Sequence, residues 1–181
     1  DTGQTLISGM GELHLEVTKN RLLRDFNLNV RFHKPQVSYR ETIARPTEVT
    51  GNCQRQLGGQ QKSAQVMLRM EPLEAGSQPI LILNQAPPET FPGEHLATVL
   101  DELKNCTQGG GRIAGFPLTR LKVTILGGKY VDGESDEIAY RIATSDAFER
   151  GLQEGEPVLL EPVMKLIVST PEDYLGDFAG D

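Results

Sequence analysis

The sequence predicts an α+β fold, a β-sheet with helices packed on one face. Three stretches carry this reading. Ala64, Val66, Leu68 and Met70 recur at every second position, the period of a half-buried strand. Leu96, Val99, Leu100, Leu103 and Cys106 recur at i, i+3, i+4, i+7 and i+10, the period of a helix. Leu121, Val123 and Ile125 alternate with Lys122 and Thr124 in a second strand. A polar loop punctuated by Gly127, Gly128 and Gly133 joins that strand to a helical face of Ile138, Ile142, Phe148 and Leu152. A loop held by two packed elements is where function concentrates, so residues 127–137 are the first candidate working surface.

The remaining elements follow in order. Gln4 to Ser8 reads as a short strand. Gly9-Met10-Gly11-Glu12 opens a helix running to about Phe26. Leu15, Leu22, Leu23 and Phe26 lie on one side of it and Leu13 and Val17 on another, the pattern of a helix packed on two sides. Leu28, Val30 and Phe32 alternate with Asn29 and Arg31 in a strand. Pro35 breaks the chain, and a domain boundary is expected at His33-Lys34-Pro35. Val37 to Ile43 and, more weakly, Thr47 to Gly51 read as extended. Gln56 to Lys62 is polar with paired glycines, the chemistry of a turn. Ile80 to Leu83 is a strand, and Pro87-Pro88 marks a loop. Pro92-Gly93 precedes the helix of Leu96 to Cys106, which ends at Gly109-Gly110-Gly111 because glycine accepts the left-handed conformation of helix ends. Ser135 is the expected N-cap of the last full helix, with Asp136 and Glu137 complementing its dipole. Val163 to Ser169 is a final strand, and Pro171 to Leu175 the first turn of another helix.

Composition narrows the function. A formal net charge of -7 argues against non-specific nucleic-acid binding, while leaving room for a small local contact. With 38% hydrophobic and 24% charged residues the chain is globular. Cys53 and Cys106 form neither a disulfide framework nor a metal-type spacing, so a reducing interior is the default setting. No apolar run approaches membrane-spanning length, and no signal peptide is recognisable. The chain opens Asp1-Thr2-Gly3 without an initiator Met, and the sequence reads as an internal fragment of a longer protein. His14, His33 and His95 are far apart and read as structural. No nucleophile, base and orienting group can be assembled.

Four blocks carry a family resemblance. Gly9-Met10-Gly11-Glu12-Leu13-His14-Leu15-Glu16 and Lys34-Pro35-Gln36-Val37-Ser38-Tyr39-Arg40-Glu41-Thr42-Ile43 resemble signatures of translational GTPases, specifically the elongation factor G family. Leu159-Leu160-Glu161-Pro162-Val163-Met164-Lys165 resembles a third, and Pro171-Glu172-Asp173-Tyr174-Leu175-Gly176-Asp177 a fourth. The blocks stand in the family's order and cover the chain nearly end to end.

The resemblance implies a layout. Residues 1–34 look like the C-terminal strand–helix–strand of domain III, a ferredoxin-like piece. Residues 35–158 look like domain IV, with a left-handed βαβ crossover against the usual right-handed rule. Residues 159–181 look like the start of domain V. It also implies that this fragment is no enzyme and holds no cofactor. GTP and magnesium would belong to a GTPase domain of the parent, since no Gly-x-x-x-x-Gly-Lys-Ser/Thr loop is found here. The implied partners are the ribosome, its ribosomal RNA and the transfer RNA–messenger RNA duplex, in the cytoplasm, with no membrane. The chain is expected to be monomeric, with pairing through its truncated edges as the exception.

Two tip loops of domain IV touch the decoding centre in this family. They map here to Gly58, Gly59, Gln60, Gln61 and Lys62, and to Gly128, Lys129, Tyr130, Val131 and Asp132. The first loop in the family usually reads Gly-Gly-Arg-Gly-Gln-Tyr-Gly, so its arginine and tyrosine are lost here. The second usually carries Tyr-His-Asp, and Val131 replaces the histidine, removing a hydrogen-bonding imidazole. These departures imply a divergent paralogue, with ribosome recycling or a specialised elongation role as the alternative. Read on their own, the residues leave other options open. The first loop also suits a plain hairpin turn, Lys129 a solvated lysine and Tyr130 a packed strand end. Asp132, Glu134, Asp136 and Glu137 could hold a divalent cation, which with His95 would make a metal-dependent hydrolase. A protein-interaction domain without RNA contact is a third possibility.

Overall fold

A computed structural model of the chain describes residues 5–76 and 78–165. The order of elements is α1 (Glu12–Arg24), β1 (Arg40–Ile43), β2 (Thr47–Leu57), β3 (Gln60–Pro72), β4 (Ile80–Asn84), α2 (Gly93–Gln108), β5 (Leu121–Lys129), α3 (Glu137–Glu154) and β6 (Pro157–Leu160). The fold is α+β, as its sequence pattern predicts. A four-stranded sheet has the order β2-β3-β5-β4, and β1 pairs with β6 in a separate two-stranded sheet. β4 and β5 are parallel, and α2 is the helix that connects them. The other neighbours are antiparallel.

One face of the larger sheet is covered. Ala64, Val66, Leu68 and Met70 of β3 and Leu121, Val123 and Ile125 of β5 are buried against α2 and α3. The sequence places Ile138 on the packed face of α3, but Ile138 is 54% exposed. Phe148 and Leu152 are buried as expected and Ile142 packs partly against the core, and the buried side also takes in Ala139, Tyr140, Ala143, Thr144, Ala147 and Gly151. Small residues dominate it because helix and strand come very close. A Cβ at Gly51 of β2 would collide with the backbone of Ala143 and Ala147. Apolar periodicity looks for large side chains, so it finds Phe148 and Leu152 but passes over the small residues that fill the rest of this face.

Several boundaries move. β2 reaches Leu57 rather than stopping at Gly51, because β3 offers it a full antiparallel partner from Thr47↔Met70 to Leu57↔Gln60. β5 runs through Gly127, Gly128 and Lys129 where a loop is expected, since these pair with Met67, Val66 and Gln65. Ser135 is not the N-cap of α3. Asp136 is, its carboxylate accepting the Ala139 N–H at 2.9 Å. The expected strands at Gln4–Ser8 and Leu28–Phe32 are absent among the described residues, and α1 buries nothing. A strand needs a neighbour to complete its ladder, and the described chain offers none there. β6 lies across the expected 158/159 boundary and pairs with β1. Residues 163–165 carry no strand, and the rest of the Val163–Ser169 strand and the Pro171–Leu175 helix lie outside the described residues.

Glu41 of β1 is fully buried. Its carboxylate accepts the N–H groups of Ile113 at 2.8 Å, Ala114 at 3.0 Å and Phe116 at 3.0 Å. Burial pushes its carboxyl up, but these backbone donors, with Gly115, outweigh that and hold it below the usual range. Burial, with Glu102 alongside, pushes the Cys106 thiol up to about 11, so it is an inert core group.

Two expectations follow. Among the α2 stripe, Val99 and Leu103 are fully buried while Leu96 and Leu100 are half-buried. Leu103→Ala should therefore cost about 2–5 kcal/mol and Leu100→Ala clearly less, measured by urea denaturation; equal losses would mean that the stripe is packed differently. Glu41→Gln keeps the shape but removes the charge that three short N–H bonds address, and should cost about 1.5–3 kcal/mol. Because the folded carboxyl titrates below its unfolded value of about 4.3, its stabilisation is present above that pH and fades as pH falls through the folded value. The variant should lose that acid-side slope in denaturation at stepped pH.

Candidate nucleic-acid interface

The two predicted loops meet at one end of the larger sheet. The first is the β2–β3 turn. Gly58 and Gly59 have φ of 60° and 81°, the two consecutive positive values that a type I′ hairpin needs and that glycine adopts freely. Gln60 pairs with Leu57 and Gln61 with Gln56. All four of Gly58, Gly59, Gln60 and Gln61 are exposed. The second loop leaves β5 after Lys129 and runs beside β3.

Backbone and side-chain bonds tie the two together. Ser63 N–H donates to Glu134 O at 3.1 Å. Ser135 Oγ donates to Ser63 O at 2.5 Å and accepts Val131 N–H at 2.8 Å. Val131 O accepts from Ser135 N–H at 2.8 Å and Glu134 N–H at 3.2 Å. Ser135 is thus committed to the junction, which is why the cap falls to Asp136. Lys62 Nζ contacts Asp136 Oδ2 at 2.8 Å and donates to Gln60 Oε1 at 3.1 Å. Burial raises the Asp136 carboxyl, but Lys62 and the Ala139 N–H bring it below its ordinary value. Lys62, expected as a contact group, is therefore a tether across the junction, with its side chain 15% exposed.

The second loop rests on an aromatic stack. His95 lies between Tyr130, with ring centroids 5.8 Å apart, and Tyr140, at 4.9 Å. Tyr140 OH donates to Lys129 O at 3.2 Å, and Tyr130 OH donates to Asp132 Oδ1 at 3.2 Å. That bond to Asp132 raises the Tyr130 hydroxyl above its ordinary range. Gly128 sits under the Phe91 ring, where a Cβ would collide. Lys129 and Asp132 are exposed, Tyr130 is 40% exposed and Val131 is half-buried.

A register shift sets which way Lys129 faces. Leu68 pairs with Ile125 but Met67 pairs with Gly127, so Leu126 is an extra residue, a β-bulge. One extra residue reverses the alternation. Lys129 therefore lies across from Gln65 on the face away from the helices, instead of sharing the core face of Val123 and Ile125.

The acidic side chains do not converge. Asp132 is bonded to Tyr130, Asp136 to Lys62, and Glu137 to Arg141 at 3.0 Å, while His95 is stacked. Among the described residues, no group of three His, Cys, Asp or Glu is placed to hold a metal ion. No helix there is long and apolar enough to cross a membrane. Sequence reasoning names the loop residues but misses Ser63, Ser135, His95 and Tyr140 as their supports. Ser135 and Ser63 are 72 positions apart, and no local pattern marks such a pair.

Comparison with known proteins gives concordant matches. A family model for "Elongation factor G, domain IV" matches residues 35–156, and one for "Elongation Factor G, domain III" matches residues 1–34. An elongation factor G of Thermotoga petrophila is 42% identical over 182 residues, which span 100% of this chain and 26% of that protein. One of Fervidobacterium nodosum is 41% identical over 181 residues with the same coverage. The chain thus spans about a quarter (26%) of the length of these relatives. A crystal structure of a protein from Thermus thermophilus superposes with a TM-score of 0.65 at 33% identity, over 83% of this chain and 22% of that one.

The junction makes a prediction of its own. Ser135→Ala removes one donor and one acceptor from the loop–hairpin seam and should cost about 1–3 kcal/mol. Asp136→Ala removes a cap and should cost about 0.5–2 kcal/mol. In a double-mutant cycle on thermal unfolding the Lys62–Asp136 pair should show coupling of about 0.5–1 kcal/mol; zero coupling would mean the tether does not hold the seam.

Proposed function

The chain belongs to the elongation factor G family, and on that premise we propose that it is the part of a translation factor that reaches into the decoding centre of the small ribosomal subunit. One observation supports this above the others: two loops far apart in sequence are bonded into a single exposed end of a rigid sheet. A tip that must enter a crowded RNA site needs that kind of fixed shape, since ordering it on arrival would weaken binding. In this reading Gly58, Gly59, Gln60 and Gln61 of the turn and Lys129, Tyr130, Val131 and Asp132 of the loop face RNA. Lys62 and Gly128 support them from behind.

The wider assignments are part of the same proposal. Residues 1–34 serve as the end of domain III, 35–158 as domain IV and 159–181 as the start of domain V. The parent is a cytoplasmic GTPase that uses GTP and magnesium in a domain outside this sequence. Its partners are ribosomal RNA and the transfer RNA–messenger RNA duplex. Isolated contact with RNA is weak, because the net charge is -7, and docking of the rest of the factor raises the effective concentration of the tip. A hydroxyl-radical footprint of the full-length factor on ribosomes tests the reading. Protection of decoding-centre RNA is expected; protection confined to other regions would sink it.

Gln60 and Val131 support a second reading. They stand where the family usually has an arginine and a histidine, so a recycling or specialised elongation role competes with ordinary translocation. Val131→His in the full-length factor separates these. The loop uses the backbone of Val131, and its side chain is half-buried, so the variant should still fold, at a cost of about 1 kcal/mol. If a missing hydrogen bond limits translocation, restoring about 1 kcal/mol should speed a single round by roughly fivefold. Stopped-flow translocation, repeated with Gln60→Arg added, gives the answer. No acceleration in either variant would favour recycling.

A further inference from the structure

The face of the sheet turned away from the helices changes character toward the tip. Residues directly opposite on antiparallel strands share a face. Three such pairs, Asn52–Gln65, Gln54–Ser63 and Gln56–Gln61, run outward to the turn on that face. The bulge adds Lys129 beside Gln65. Gln65 Nε2 donates to Asn52 Oδ1 at 2.7 Å, which fixes both amide planes. Asn52, Gln54, Ser63, Gln65 and Lys129 line a shallow cleft there. No Asp or Glu occurs between Glu48 and Glu71, nor between Glu102 and Asp132. In a chain with 25 acidic residues, β5 and the tip-facing length of the β2–β3 hairpin carry none.

We infer that this amide-lined face is a lateral RNA-contact surface, which reads ribose hydroxyls and base edges in the shallow minor groove of an RNA helix. The inference rests on the ribosomal reading above and extends it from the loops to the sheet. Each amide side chain presents two donors and an acceptor without a charge. An RNA helix displays 2′-hydroxyls and base edges in a wide, shallow groove, and such groups take neutral partners of both kinds. A surface that tracks phosphates needs a row of cations. Along these pairs Lys129 is the cation on the outer face, while Lys62 is turned to the other side and bonded to Asp136. No carboxylate arises from this stretch of the strands to repel an approaching polyanion. The one that reaches Asn52 from α3, Asp146, binds its backbone N–H and is paired with Arg150. A protein partner would find little apolar surface to bury, since Met67, 40% exposed, is the large hydrophobic side chain next along β3.

Side-chain amide signals give a direct test. The full chain, labelled with nitrogen-15, is titrated with a short RNA duplex and with a DNA duplex of the same sequence. The NH2 signals of Asn52, Gln54, Gln56, Gln61 and Gln65 should move with RNA and not with DNA. Affinity should fall only about three- to fourfold between about 50 and 200 mM salt, as for a single phosphate contact. Gln54→Ala with Gln65→Ala should weaken RNA binding by roughly fivefold for each hydrogen bond lost, with an unchanged melting temperature as the control for folding. If the backbone signals of Gly58 and Gly59 move while the five amides stay still, the tip reading stands and the lateral surface is overturned. If neither set moves with RNA raised to about millimolar, where contacts of non-specific strength register, this inference is overturned. The ribosomal reading, which relies on docking of the whole factor, then stands or falls by the footprint. Equal responses to RNA and DNA would overturn the recognition of ribose.

Discussion

A buried carboxylate anchors the end of the molecule opposite the tip. Glu41 lies on β1, and its side chain takes three N–H groups from the connection between α2 and β5. Its own N–H donates to Pro117 O at 3.1 Å, and its carbonyl accepts from Thr119 N–H at 2.9 Å. A buried charge is tolerable only when it is this fully hydrogen-bonded. One residue therefore joins β1 to the return of the β4–α2–β5 crossover. Through β1 and β6 it also fixes where the chain goes after α3. β5 starts at Leu121, just beyond this anchored connection, so its register against β3 as far as Ile125 is held from here. The bulge at Leu126 sets the direction of Lys129.

The register then carries the constraint along the sheet. α3 packs flat because Gly51 lets the backbone of Ala143 and Ala147 approach β2, and Gly151 does the same beside Met70. Close packing leaves no slack for a strand to slide. The bulge at Leu126 lies near the end of β5, and beyond it Gly128 packs against Phe91 while Lys129 O accepts the Tyr140 hydroxyl of α3.

What can be read from the sequence follows from which forces are local. Alternation in β3 and β5 and the stripe of α2 are local patterns, and the structure has those elements where they point. Turn chemistry at Gly58-Gly59 is local too. The packed side of α3 is legible only in part, at Ile142, Phe148 and Leu152, because the small residues at the close contact leave no hydrophobic signature. The extent of β2 and the last residues of β5 escape it because pairing partners, not propensity, decide them. Glu41 lies within a recognisable block, yet nothing near it in sequence announces that its partners lie 72 to 75 positions away. At the tip, the exposed residues are legible through resemblance. Their supports, Ser63, Ser135, His95 and Tyr140, are not, since each acts across the fold.

That division between contact groups and supports bears on how such a protein can diverge. The junction is held by Lys62, Ser63, Ser135, Asp136 and backbone atoms of Val131 and Glu134. Val131 contributes only its N–H and carbonyl to it, which any residue but proline supplies. Gln60 contributes one bond to Lys62, and Lys62 keeps Asp136 without it. Of the positions that depart from the usual family loops, Lys62 and Ser63 are part of the seam, the first through its side chain and the second through its backbone. Gln60 and Val131, which depart as well, are ones that the seam needs little. Replacing an arginine and a histidine there changes the charge and hydrogen bonding offered to a partner while leaving the presentation of the tip intact. Side chains can therefore change at Gln60 and Val131 without loss of fold. Equivalent changes at Ser135 or Asp136 would strike the seam itself.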